Sequence, residues 1–228
     1  MDNIYHIDDE DFGDLILQIE NSFGIEFDYE EITNNMTIEK FSELVISKMS
    51  MENGQECSTQ IVFYRIRKAL TEKLGVEKSI INTKTELNSV FAKKNRINNW
   101  KNTFGKFNYN GIKLQPSSIP YGISILTTKV SFFFFFGSYR IYAIPIFILS
   151  IITAKILVKY GKKIPAKNIG DLAKVIVKSN YKSVRTEKGT INISEIKKLI
   201  FIQLTDWLEP KEVKNMNMNM QTKINYID

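Results

Sequence analysis

The side chains able to do chemistry are few and unevenly placed. The 228-residue sequence holds one histidine, His6, and one cysteine, Cys57. A Cys/His metal cluster or a Ser-His pair needs several such residues at set spacings, so both are nearly excluded. His6 reads as a terminal-segment histidine and Cys57 as an ordinary thiol. A lone cysteine forms no internal disulfide, which fits soluble parts exposed to the cytosol. No Gly-rich phosphate loop, dinucleotide fingerprint or metal-ligand spacing is present. Two charged clusters remain. Asp8, Asp9, Glu10 and Asp11, with Asp14, could hold a hard cation or dock a basic surface, although carboxylate runs at helix starts are ordinary capping groups. Lys93, Lys94 and Arg96 with Trp100 could touch phosphates and stack on a base, or form a solvated basic face that meets anionic headgroups. No catalytic constellation emerges, so the expectation is a non-enzymatic protein without cofactor or metal.

The elements that position these clusters follow from charge and periodicity. Residues 1–56 carry 15 Asp/Glu against two Lys/Arg, a balance of −13, and the remainder carries +19, giving the net +6. An acidic module followed by a basic one is the simplest reading. Residues 1–14 are acidic and do not read as a signal peptide. Phe12, Leu15, Ile16, Ile19 and Phe23 recur at steps of three or four, one face of a helix that Gly24 should stop. Thr37 is a candidate N-cap for a second helix with Ile38, Phe41, Leu44 and Val45 on one face. Lys, Asn and Ile are abundant throughout, so the Asn215–Met220 run is read as compositional.

The order of an acidic helix, "FGIEFDYEEI" and a Thr-capped "TIEKFSELV" resembles the second to fourth helices of the acyl carrier protein superfamily, over about forty residues. The resemblance implies helical bundle modules and a phosphopantetheine attachment serine at the start of the first helix. Asp9 occupies that position, and a carboxylate cannot form the stable phosphodiester. The match is therefore to serine-less, carrier-like domains. It implies that Asp8, Asp9, Glu10, Asp11 and Asp14 are a docking face for basic surfaces of enzymes of fatty-acid, lipid or polyketide metabolism, or for the chain's own basic domain. Ile61–Leu87 resembles a carrier's first helix and the loop after it, and Asn168–Asn180 a last helix. Residues 59–118 with 164–182 thus read as a second, degenerate domain. Ile193–Lys214 again resembles a first helix, and packing of residues 193–208 beside the N-terminal module would complete it by permutation.

Between those halves, residues 119–160 are the most apolar stretch. The arms Ile119–Phe136 and Ile141–Val158 flank a turn at Gly137–Arg140. Eighteen residues make about 27 Å of helix, marginal for a bilayer core of roughly 30 Å. Lys129 in the first arm costs about 2.5–3.5 kcal/mol at a bilayer centre, which five phenylalanines offset by roughly 1.5–3. The second arm is uncharged from Ala143 to Ala154. Lys106, Lys113, Lys159, Lys162 and Lys163 flank the insertion, so both ends should stay in the cytosol. A helical membrane hairpin, re-entrant or interfacial, is one reading. A soluble β-hairpin of "KVSFFFFF" and "YRIYAIPIF" is the other.

The expected fold is mainly α. It comprises an acidic carrier-like module at 1–50, the split basic domain, an apolar membrane hairpin at 119–160, a C-terminal helix at 190–214 and a disordered tail at 215–228. The expected function is a membrane-attached docking protein, with lipids and basic proteins as partners and soluble parts on the cytoplasmic side. Nucleic-acid binding through residues 61–113 is the alternative.

Overall fold

The computed structural model describes residues 4–135, 140–206 and 217–227. It is mainly helical. In chain order the elements are β1 (Ile4–Asp8), α1 (Asp9–Phe23), a 3-10 turn (Tyr29–Glu31), β2 (Met36–Thr37), α2 (Ile38–Ser47), β3 (Glu52–Asn53), α3 (Ser58–Leu74), a second 3-10 turn (Lys78–Ile80), α4 (Leu87–Val90) and α5 (Arg96–Phe104). Then come α6 (Ser118–Phe135), α7 (Arg140–Lys159), α8 (Ile169–Ser179), α9 (Tyr181–Arg185), β4 (Thr190–Ile191), α10 (Ile193–Thr205) and β5 (Lys223–Ile227). The chain divides into two units. One runs up to Ile66 and resumes at Ala173, and the other is Arg67–Leu172.

Local chemistry sets the helix bounds in the first unit. The Asp8 carboxylate accepts from the Glu10 N–H at 3.0 Å and caps α1. Gly24 ends it at φ 60°, its N–H donating to the Glu20 carbonyl at 2.6 Å, a conformation that glycine adopts without penalty. Thr37 caps α2 through a bond from the Lys40 N–H. Phe12, Leu15, Ile19 and Phe23 form the buried face of α1, and Ile38, Phe41 and Val45 that of α2. Fully burying each such side chain contributes about 1.5–3 kcal/mol. Helix α10 packs on α2 and α1 with Ile196, Leu199, Ile200 and Leu204 buried. Its Lys197 reaches Glu39 at 3.0 Å and Glu43 at 3.6 Å. The hydrogen bond from Lys197 holds the Glu39 carboxyl below its usual range, and the same contact raises Lys197.

Two departures from the sequence expectation matter here. The described part of the tail is ordered: β5 is the central strand of a three-stranded sheet ordered β1-β5-β2. It pairs parallel with β1, from Ile4 with Lys223 to Asp8 with Ile227, and antiparallel with β2. The cause is the alternation in "KINYI", which buries Ile224 and stacks Tyr226 on Phe12 with centroids 4.7 Å apart. Met218 of the Met-Asn run is also buried, and the Asn219 N–H donates to Thr222 Oγ1 at 2.9 Å, closing the turn before β5. His6 lies in β1, with its Nδ1 3.3 Å from Asn225 Nδ2. Residues 207–214 of the expected C-terminal helix lie outside the described residues.

The second departure is the domain border. It falls inside α3 and inside α8, rather than at residues 50–59 and 182. The start of α3 is held within the first unit: Glu195 accepts from the N–H and hydroxyl of Ser58, and Arg65 pairs with Glu187 at 2.8 Å. Cys57 beside it is exposed. In the second unit, the segment around Thr83–Leu87 pairs with Lys167–Gly170. The Leu87 N–H donates to Lys167, and the N–H groups of Ile169 and Gly170 donate to Thr85 and Thr83. Asn168 caps α8 by accepting from the Asp171 N–H at 2.8 Å.

A buried β5 makes a clear prediction. Ile224→Ala should destabilise the first unit by about 2–4 kcal/mol, read as a lower melting temperature by circular dichroism of the full chain in detergent. A disordered tail would give no change.

Candidate functional site

Three surfaces carry the sequence-predicted residues. The first is a groove on α1 of about 450 Å³. Its rim carries Asp9, Glu10 and Asp14, and its floor is Phe12, Ile16, Leu17, Phe27, Ile32 and Tyr226. Among the described residues no lysine or arginine lines it. Glu20 also reaches the groove, but its Oε1 accepts from the Phe27 N–H at 2.8 Å and so shapes the loop. Phe27 in turn stacks on Phe41, with centroids 5.6 Å apart. Leu17 is 56% exposed, an apolar side chain with no cover. The five carboxylates proposed from sequence therefore separate. Asp9, Glu10 and Asp14 share the groove, Asp8 serves as the cap, and Asp11 is exposed outside it. The floor residues Leu17 and Tyr226 were missed. The alternation of "KINYI" was the available signal for Tyr226.

The second surface is the basic cluster, and its composition changes. Lys93 and Lys94 are exposed, whereas Arg96 and Trp100 are each 5% exposed. Arg96 is consumed by structure: Nε donates to the Phe91 carbonyl, Nη1 to that of Lys162 and Nη2 to Asn88 Oδ1, each at 2.8 Å. Trp100 donates to the Ile112 carbonyl at 2.8 Å and packs with Phe91 and Phe104, centroids 4.8 and 4.7 Å away. A guanidinium has five donors and an indole one, and burial is tolerated here because three guanidinium donors and the indole N–H meet acceptors. The expected basic face therefore loses these two members. Base stacking by Trp100, on which the nucleic-acid alternative leaned, has no exposed ring to use.

The third surface is the apolar pair α6 and α7. Both arms are helices, so the β-hairpin alternative is replaced, and the expected turn at 137–140 lies largely outside the described residues. The helices run antiparallel, with the Ser124 hydroxyl donating to the Ser150 carbonyl at 2.7 Å and Thr128 Oγ1 2.8 Å from Ser150 Oγ. Ser124, Ser131, Ala143 and Ser150 are buried along the seam. The outward faces are large and apolar, including Ile123, Leu126, Phe132, Phe133, Ile148 and Leu149. Among the described residues, Ile141–Lys159 is the helix long and apolar enough to cross a membrane, with mean hydropathy 2.3 and 11% of it buried.

Among the described residues no group of three His, Cys, Asp or Glu is placed to hold a metal ion. No family model, curated protein or solved structure matches the chain. The acyl-carrier resemblance therefore stands on the residues quoted for it.

The different environments of the basic residues separate by mutation. Arg96→Ala leaves the Phe91 and Lys162 carbonyls without their donor and should cost about 3 kcal/mol. Lys93→Ala should stay within about 0.5 kcal/mol. Equal melting temperatures for the two variants would return Arg96 to the surface.

Proposed function

We propose that the chain is a non-catalytic, membrane-attached docking protein on a serine-less, acyl-carrier-like scaffold. The observation that carries the membrane reading is the polarity of α6 and α7. Hydroxyls and small side chains meet at the seam, and large apolar side chains point out. Burial in water would favour the reverse, because exposed patches of this extent are rare on soluble proteins. In a bilayer, small residues bring helices together and hydroxyls bond across them. Helix α7, with 20 residues, is about 30 Å long, the thickness of the hydrocarbon core. At the ends nearer α5 and α8 stand Lys159, Lys162 and Lys163, with Tyr121 and Tyr160, residues suited to a headgroup layer. The positive-inside rule is what supports a cytoplasmic side for the lysine-rich end.

The docking surface in this reading is the groove on α1. Carboxylates around an apolar floor fit a basic amphipathic helix or loop, with one apolar side chain seated beside Leu17 and lysines or arginines meeting Asp9, Glu10 and Asp14. Asp9 is the first residue of α1, the place where the resemblance puts an attachment serine. There the carboxylate would serve as a contact and not as a carrier. A separate basic protein of acyl or lipid metabolism is the proposed occupant, because Arg96 and Trp100 are buried in their own unit.

Two measurements test the two halves. Alkaline carbonate should leave the full chain in the membrane pellet, and release into the supernatant would end the membrane reading. For the groove, the chain in neutral detergent should bind a synthetic Lys/Leu amphipathic helix with an affinity that falls as salt rises. Leu17→Asp and Asp14→Lys should each weaken that binding about tenfold or more without lowering the melting temperature. If charge reversal at a remote carboxylate such as Glu72 weakens it equally, the attraction is general and the groove has no special role.

A further inference from the structure

We infer that the cavity at the foot of the α6 and α7 pair binds the phosphate of an anionic phospholipid headgroup, an inference that rests on the membrane reading above. The cavity measures about 430 Å³, and Lys93, Lys162 and Lys163 converge on it with Ser117, Ser118 and the buried Arg96. Among the described residues no carboxylate lines it. Among the described residues none of the three lysines has a carboxylate within ion-pair distance. Three lysines lining one hollow with no carboxylate partner among the described residues raise its positive potential, which favours an anion.

The backbone holds them there. Gln115 and Lys163 exchange two hydrogen bonds, at 2.8 and 3.0 Å, and Arg96 Nη1 fixes the Lys162 carbonyl. Gly161 allows this close approach, since a Cβ there would stand 2.5 Å from the Gln115 carbonyl oxygen. Lys163 Nζ donates to Ser118 Oγ at 3.0 Å, which places its charge over the first turn of α6. That turn contains no acidic residue to neutralise the charge.

What selects a lipid over free phosphate is the next residue. Ile119 closes the lining and is 76% exposed, and the outward apolar face of α6 continues from it through Ile123 and Leu126. A phosphate in the cavity would leave its glycerol ester beside Ile119 and an acyl chain along that face. Phosphatidylcholine carries the same phosphate with a compensating cation, so a headgroup of net negative charge should be preferred.

The test uses the full chain in neutral detergent and reads its melting temperature against three probes: short-chain phosphatidylglycerol, short-chain phosphatidylcholine and inorganic phosphate. Phosphatidylglycerol should raise it saturably by several degrees, and the other two at equal concentration should do much less. Lys163→Gln and Lys93→Gln should each remove most of the rise, whereas Lys68→Gln, on the exposed face of α3, should keep it. Equal shifts with phosphatidylcholine, or full shifts in both cavity variants, would overturn the site. A full shift with inorganic phosphate alone would overturn its assignment to lipid. Carbonate extraction separates this from the parent reading: a chain that stays in the pellet but shows no selective shift refutes the cavity and leaves the membrane attachment standing.

Discussion

The first unit depends on one constraint: β5 must lie between β1 and β2. The strand supplies hydrogen bonds on both edges, parallel to β1 and antiparallel to β2. The turn before it also caps the start of α2, because Met220 and Thr222 carbonyls accept from the Glu39 and Ile38 N–H groups. Gln221 adds a bond to the Glu39 carboxylate, which Lys197 of α10 already holds. One short segment thus joins the sheet, α2 and α10, and Tyr226 from it walls the groove on α1. The candidate docking surface exists only when residues from opposite ends of the sequence have met, so its shape is coupled to the stability of the unit and not to α1 alone.

A second constraint lies deeper. Arg185 is fully buried, yet its guanidinium is matched by acceptors: the carbonyls of Thr190 and Glu56 and the Thr190 hydroxyl. Nearby, the Tyr181 hydroxyl accepts from the Asn192 N–H at 2.8 Å, and burial raises its pKa above the usual phenol value. Together they bind α9, the loop before α3 and the start of α10. An arginine in such a place fixes geometry through several directed bonds, which apolar packing does not provide.

These arginines show what was legible from sequence and what was not. Periodicity located α1 and α2 well, because each has one buried face at steps of three and four, whereas the segments that contain α8 and α10 were picked out by the carrier resemblance. The cap at Thr37 and the stop at Gly24 were readable for the same local reason. Non-local demand was not readable. Arg96 and Arg185 look like surface charge until the carbonyls they satisfy are known. Trp100 looks like a stacking ring until Phe91 and Phe104 close on it. The alternation in "KINYI" marks a strand but not its partners, since β1 and β2 both lie about two hundred residues earlier. The acidic cluster was found as a run, but which of its members share a groove was settled by Phe27, Ile32 and Tyr226, none of which is adjacent in sequence.

The pairing of α6 with α7 bears on the hardest feature of the apolar segment, Lys129. By insertion energetics α6 alone is near balance, since one central lysine cancels most of what its phenylalanines contribute. The structure shows α6 as one side of a packed pair. Ser124 and Thr128 find their partner at Ser150, and the exposed Phe132, Phe133 and Phe134 stand beyond Lys129 toward the far end. Lys129 lies six residues before the end of α6, about 9 Å along the axis, a distance that a lysine stem can partly cover. In the proposed bilayer setting, α7 would supply the favourable insertion energy and α6 would follow by packing against it. The hydroxyl seam is then what makes a charged helix tolerable, because separation would leave α6 with its lysine cost and with cross-helix hydroxyl bonds unmade.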